Sequence, residues 1–197
     1  MRRLAILALV PLLLAACATS VKRLDVEEIK DVSGRWNDTD SQMVARAMIQ
    51  DCLSHPWIDQ FRRSHGGRQP AIIVGAIRNR STEHIDTHTF VTDLERAIIN
   101  SGEATFVAAP GEREQIRSER DAQAGFTEES TRSFHGHETG ADYMLLGSVD
   151  SIVDKEGRRA VVFYQVNLEL IDMRTNRKVW IGDKKIKKYV KRPAARL

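Results

Sequence analysis

The chain opens on an apolar run. Residues 4–14 (LAILALVPLLL) carry no charge, and a polar stretch follows at 18–32. Beyond it the apolar positions become periodic. From 40 to 54, Met43, Val44, Ala47, Met48 and Cys52 recur at helical spacing, which predicts a helix. Asp38, Thr39 or Asp40 can cap its start. His55-Pro56 ends it, and Pro56 suits the first turn of a second, short helix carrying Trp57, Ile58 and Phe61. Ser64-His65-Gly66-Gly67 stops that helix. Residues 71–77 (AIIVGAI) read as a strand buried on both faces. Asp86 can cap a third helix, on which Phe90, Leu94 and Ile98 stand four apart and Gly102 is the stop. Residues 104–109 predict a second buried strand, broken by Pro110-Gly111.

The second half changes period. Residues 111–140 are polar and sparsely apolar (Ile116, Phe126, Phe134), which predicts helix in two pieces. A third strand enters the core at 141–149, and 154–158 make a turn. Residues 160–171 alternate, so Val162, Tyr164, Val166, Leu168 and Leu170 fall on one face. After a turn at 172–176, the last strand spans 178–189. It places Val179, Ile181 and Lys185 on one face, with Trp180, Ile186 and Lys188 less regular. The order is αα-β-α-β-α-β-β-β. Helix-linked strands pair in parallel and turn-linked strands antiparallel. The expected fold class is α/β, a mixed parallel/antiparallel sheet flanked by helices.

The leader decides where the chain works. Met1-Arg2-Arg3 is a charged n-region before an eleven-residue apolar run. That run is too short to span a bilayer, which takes about 20 residues. It ends in Leu14-Ala15-Ala16-Cys17, which resembles the lipobox of bacterial lipoproteins. The organisation expected is a signal peptide at 1–16, a lipidated tether at 17–32, an α/β domain at 33–190 and a basic tail at 191–197. Cys17 is the lipid-attachment residue, and its acyl chains are the contact with the membrane. Ala18, rather than Asp, follows it, which resembles the outer-membrane default. The protein is expected on the outer membrane, lipid-anchored and facing the periplasm. The tether reaches roughly 50 Å when fully extended.

Charge alters the picture only locally. Of 30 basic residues, Arg2 and Arg3 leave with the signal, so 28 face 27 acidic ones. Ten Lys or Arg and one acid, Asp183, lie from Arg174 onward, and the body before them is acidic. This basic end suits an acidic partner, anionic head groups or wall carboxylates. It also suits lysines that blunt an exposed sheet edge. Nucleic acid is not expected as a partner of an exported chain. With Cys17 lipidated, Cys52 has no disulfide partner and reads as a small buried hydrophobe.

No catalytic constellation emerges. There is no Gly-x-Ser-x-Gly, Walker A, His-Glu-x-x-His or Cys-x-x-Cys pattern. His84 and His88 stand four apart but straddle the expected helix start. His135 and His137 flank Gly136 in a polar loop. Neither pair supplies the three or four converging ligands of a metal site. Catalytic, metal and cofactor residues are therefore given as none, and no small-molecule substrate is expected. Arg35 and Trp36 suit an exposed contact. The preferred reading packs Trp36 on the sheet, with residues 37–41 capping the helix.

Three stretches carry a family resemblance. Residues 33–41 (SGRWNDTDS), with the helix to Cys52, resemble the LpoB-like lipoproteins, the penicillin-binding protein activators. Residues 140–149 (GADYMLLGSV) resemble a strand of that family, of the TolB N-terminal domain and of CsgG. Residues 166–172 (VNLELID), with Asn176 and Val179-Trp180, resemble their hairpin. The resemblance implies an α/β sheet flanked by helices. It further implies a non-enzymatic partner of a class A penicillin-binding protein, stimulating its glycan polymerisation and crosslinking. The alternative is an outer-membrane scaffold or secretion accessory. The chain is too short, and lacks the alternating hairpins, for a pore of the CsgG kind.

Overall fold

The computed structural model describes residues 21–133 and 136–192. Residues 21–30 belong to a unit separate from the compact one that begins at Asp31. They hold one turn, in which Glu28 N–H donates to Asp25 O at 3.1 Å. The predicted lipid site, Cys17, lies outside the described residues, as do most of the leader-and-tether segment and His135.

The compact unit runs α1 (Asp38–Ser54), α2 (Trp57–Ser64), β1 (Ala71–Asn79), α3 (His88–Ser101), β2 (Thr105–Phe106), α4 (Pro110–Phe126), a 3-10 turn (Glu129–Thr131), β3 (Tyr143–Glu156), β4 (Arg159–Asp172) and β5 (Lys178–Lys191). Among the described residues the strands form one mixed sheet ordered β2-β1-β3-β4-β5. The helix-linked strands are parallel, and the hairpins β3–β4 and β4–β5 are antiparallel. This is the α/β class the element order predicts.

Helix boundaries follow their local chemistry. Asn37, the first residue of the expected 37–41 capping stretch, caps α1. Its side chain accepts from Asp40 N–H at 3.0 Å, and Asp40 accepts from Asn37 N–H at 2.9 Å. This reciprocal pair satisfies two donors that a helix start otherwise leaves open. Asp86 accepts from His88 N–H at 2.9 Å at the start of α3, and Gly102 ends that helix in the left-handed region.

The core lies on one sheet face. Val162, Tyr164, Val166, Leu168 and Leu170 of β4 are all buried, as their alternation predicts. Val44, Met48 and Cys52 of α1, Trp57 and Phe61 of α2, and Phe90, Leu94 and Ile98 of α3 belong to the same cluster. Trp57 and Phe61 both meet Tyr143 edge-on, with ring centroids 5.4 and 5.6 Å apart. All of these residues follow Asp31, so the compact unit contains its own core.

Three expectations need correction. The second strand is two residues long, and its Thr105 is exposed. The chain leaves β1 after that short pairing because Pro110 starts α4, where a missing N–H costs nothing. β1 is buried only over Ala71, Ile72 and Ile73; Ala76 and Arg78 turn to the open sheet face beside Leu146 and Ile181, while Ile77 packs on the core. The inward face of β5 is Trp180, Gly182, Ile186 and Lys188, while Ile181 is 60% exposed. The pairing explains this. Leu170 pairs with Trp180 but Ile171 with Lys178, so Val179 is an extra residue that shifts the parity.

The sheet face opposite the core is largely open: Ile152 and Tyr189 are 68% and 64% exposed. β5 is the sheet edge, and its lysines 184, 185, 187 and 191 follow the edge-blunting pattern. Core and open-face substitutions should therefore differ sharply. Leu94→Ala should lose about 2–5 kcal/mol in urea unfolding followed by circular dichroism. Ile152→Ala should stay within about 0.5 kcal/mol of the parent.

Candidate binding cleft

The segment before α1 folds back over the end of β5. Gly34 makes this possible. Its φ is +73°, and a Cβ there would sit 2.3 Å from a Val190 methyl. Only glycine meets both conditions without strain. Trp36 then turns inward. Its indole N–H donates to Ser41 Oγ at 2.9 Å, and its ring meets Tyr164 edge-on at 5.4 Å. Of the two roles open to Trp36, packing is the one its contacts serve, though one side of the ring still lines a cleft.

Glu83 ties this segment to the sheet. Its carboxylate accepts from Trp36 N–H at 3.0 Å and from the Tyr164 hydroxyl at 2.7 Å. Burial, and then the bond to Glu83, push the Tyr164 pKa above its usual range, so the phenol stays a donor.

Lys188 ties it to β5. The side chain points to the core side of the strand and is 12% exposed. Its ammonium donates to Asp40 at 2.6 Å, Asp31 at 2.8 Å and the Arg35 carbonyl at 3.0 Å. Asp40 is 1% exposed. Burial alone would lower the Lys188 pKa, but the bonds to Asp31 and Asp40 outweigh it and the net shift is upward. The bond to Lys188 holds Asp31 below the usual carboxylate range.

These contacts form one wall of a cleft of about 440 Å³. The other wall is the β3–β4 hairpin tip. Val153, Val162 and Val190 give the cleft an apolar floor. Its rim carries Arg35, Lys155, Arg158, Arg159 and Arg192. Glu83, the carboxylate in the lining, already has both oxygens engaged. The cleft's titratable lining beside the rim cations is Glu83 and His84. It is suited to binding.

The other candidates do not converge here, apart from His84 on the rim. His88 starts α3 and bonds Thr92 Oγ1 at 2.7 Å. His137 is exposed in a loop. Among the described residues, no three His, Cys, Asp or Glu side chains come together as metal ligands. Cys52 is buried, and that burial pushes its thiol up to about 12, so it stays protonated and unreactive. The sequence reading named Tyr164 and Lys188 only as strand positions and passed over Glu83 and Asp31. The one usable signal was the Asn37–Asp40 spacing of a capping box.

The family model for the peptidoglycan-synthase activator LpoB matches residues 40–186. The chain belongs to the LpoB family. The match starts at Asp40, so most of the 33–41 motif lies outside it. Among solved structures, the LpoB C-terminal domain from Escherichia coli aligns at 17% identity and a TM-score of 0.40, covering 73% of this chain and 98% of that one. The Salmonella enterica domain aligns at 17% and 0.36, covering 68% and 94%. Lipoprotein GNA1162 from Neisseria meningitidis aligns at 17% and 0.39, covering 64% and 88%. No curated protein is a significant match.

Two further motifs of this LpoB-family chain have local physical roles. Asp142, in the Gly-Ala-Asp-Tyr stretch, takes two bonds from Arg68 at 2.7 and 2.9 Å and one from Ala71 N–H at 2.8 Å. It pins the start of β3 to the start of β1. Gly147 lets β4 approach, since a Cβ there would lie 2.4 Å from Asn167 O. Asp172 and Asn176 build the β4–β5 turn: Asp172 accepts from Arg174 and Thr175 N–H, and Asn176 takes a φ of 58°.

Removing the Lys188 ammonium should be expensive, because Asp40 would remain buried without its cation. Lys188→Ala should cost about 3–5 kcal/mol in denaturant unfolding. The raised lysine pKa sets the pH window. Its contribution is complete below the unfolded value of about 10.4 and is lost as pH rises through the folded value. The difference in melting temperature between parent and Lys188→Ala should therefore be flat at neutral pH and shrink above that point. The smaller Asp31 contribution is present above about pH 3.9 and fades as pH falls through its lowered folded value.

Proposed function

We propose that this protein is an outer-membrane lipoprotein whose folded domain binds and stimulates a class A penicillin-binding protein in peptidoglycan synthesis. The family match over residues 40–186 carries this reading. The n-region, apolar run and Leu14-Ala15-Ala16-Cys17 motif support export and acylation of Cys17. Among the described residues no helix is long and apolar enough to cross a membrane. On this reading the attachment is the lipid on Cys17, which the leader motif supports, with residues 18–32 as the tether.

The role is regulatory and non-enzymatic. An activator of this kind binds the synthase's active conformation more tightly than its inactive one and shifts the population between them. A tenfold preference corresponds to about 1.4 kcal/mol, which a modest interface can supply.

The chain from residue 18 onward should raise glycan polymerisation by a class A synthase from the same organism, measured with a labelled lipid-linked precursor. No change with any such synthase would overturn the reading, and pull-down of other outer-membrane proteins instead would favour the scaffold role. Mass spectrometry of the native protein should find an acylated N-terminal residue 17. Cys17→Ser should leave the precursor uncleaved and unlipidated.

A further inference from the structure

The cleft beside Trp36 is cationic in an unusual way: its positive groups are not spent internally. Among the described residues, Arg35, Lys155, Arg158 and Arg192 have no carboxylate partner. Arg159 has only Glu156, at 3.6 Å, with both side chains well exposed. An exposed pair of that length contributes little and competes weakly with an incoming anion. Glu83 cannot neutralise the rim, because its oxygens hold Trp36 and Tyr164. Five cations therefore surround an apolar floor of valines and one indole face.

We infer that this cleft docks an acidic peptide segment bearing an apolar side chain, presented by the protein's partner. Its assignment to a synthase rests on the function proposed above; the binding chemistry does not. Four of the five rim cations are arginine, whose planar guanidinium pairs with carboxylates through two parallel bonds. The floor adds what a simple anion does not use. Val153, Val162 and Val190 offer a place for one aliphatic side chain beneath the carboxylates. The volume of about 440 Å³ suits a few residues rather than a whole domain. The site is also built on firm supports. Trp36 is fixed by three contacts, and Gly34 lies against Val190.

The basic residues of β5 and of the residue after it split accordingly. Lys188 turns inward to Asp40, Arg192 joins the rim, and Lys184 and Lys185 stay along the strand's edge away from the cleft. This separates local docking from general attraction to a basic surface, and it supplies the control.

The protein has three tryptophans, so the 15N-labelled chain from residue 18 gives three indole N–H resonances. Trp36 lines the cleft, while Trp57 and Trp180 are in the core. The probes are the peptide Glu-Glu-Leu-Glu-Glu, the same peptide with Gly for Leu, and phosphatidylglycerol vesicles. The Leu peptide should move the Trp36 resonance and leave the other two in place. The Gly peptide should bind at least tenfold more weakly. Arg158→Glu with Arg192→Glu should abolish the Trp36 shift, with unchanged Trp57 and Trp180 positions reporting an intact fold. Lys184→Glu with Lys185→Glu should preserve it. Equal binding of the two peptides, equal loss in both double variants, a Trp36 shift produced by vesicles but not by peptide, or no Trp36 shift would each overturn the inference. Because the readout needs no synthase, it stands or fails separately from synthase activation.

Discussion

A single ammonium group holds the functional end of this fold together. Lys188 lies at 2.6 Å from Asp40, a carboxylate with almost no exposure to water, and also takes up Asp31 and the Arg35 carbonyl. Asp40 in turn completes the cap of α1. One cation thus joins the sheet edge, the first helix and the chain that leads into it. A carboxylate buried so completely is tolerable only with a charge partner and hydrogen bonds of good geometry. The position of the 33–36 segment follows, and with it one wall of the cleft.

The sheet explains the rest of the placement. The β3–β4 turn and the C-terminal end of β5 lie together at the end of the sheet opposite Asp142, where β3 becomes exposed from Ile152 onward. The core cannot cover that end, so the 33–36 segment does. Trp36 supplies the ring that closes on Tyr164, and Glu83 binds both partners from the loop after β1. That end of the sheet also explains the charge. The hairpin tip is a solvated turn and the end of β5 an exposed strand end, where arginine and lysine cost little, and the fold gathers them around a strip of valines. The result is a cleft with a cationic rim over an apolar strip.

The stretches that resemble the family have structural roles in this chain. Asp142, Gly147, Asp172 and Asn176 are occupied with pairing strands and forming a turn. They stand away from the cleft. In this chain the recognisable motifs specify the scaffold, and the surface proposed to meet a partner is written in scattered arginines.

Much of this was legible in the chain alone. The period of the apolar residues determined the helices, the long alternating strand β4 and the mixed sheet, because burial of one face imposes a period of 3.6 or 2. The inward face of β5 was not legible in this way. One extra residue at Val179 reversed its parity, and a bulge is set by pairing with β4, not by β5's own side chains. The brevity of β2, the burial of Asp40 and the role of Lys188 were likewise decided by tertiary structure. A charge becomes internal only when a distant partner meets it, and Asp40 and Lys188 are far apart in sequence. The cleft is of the same kind. Residues from before α1, from the loop after β1, from the hairpin tip and from the end of β5 form one site only because the sheet brings them to one end.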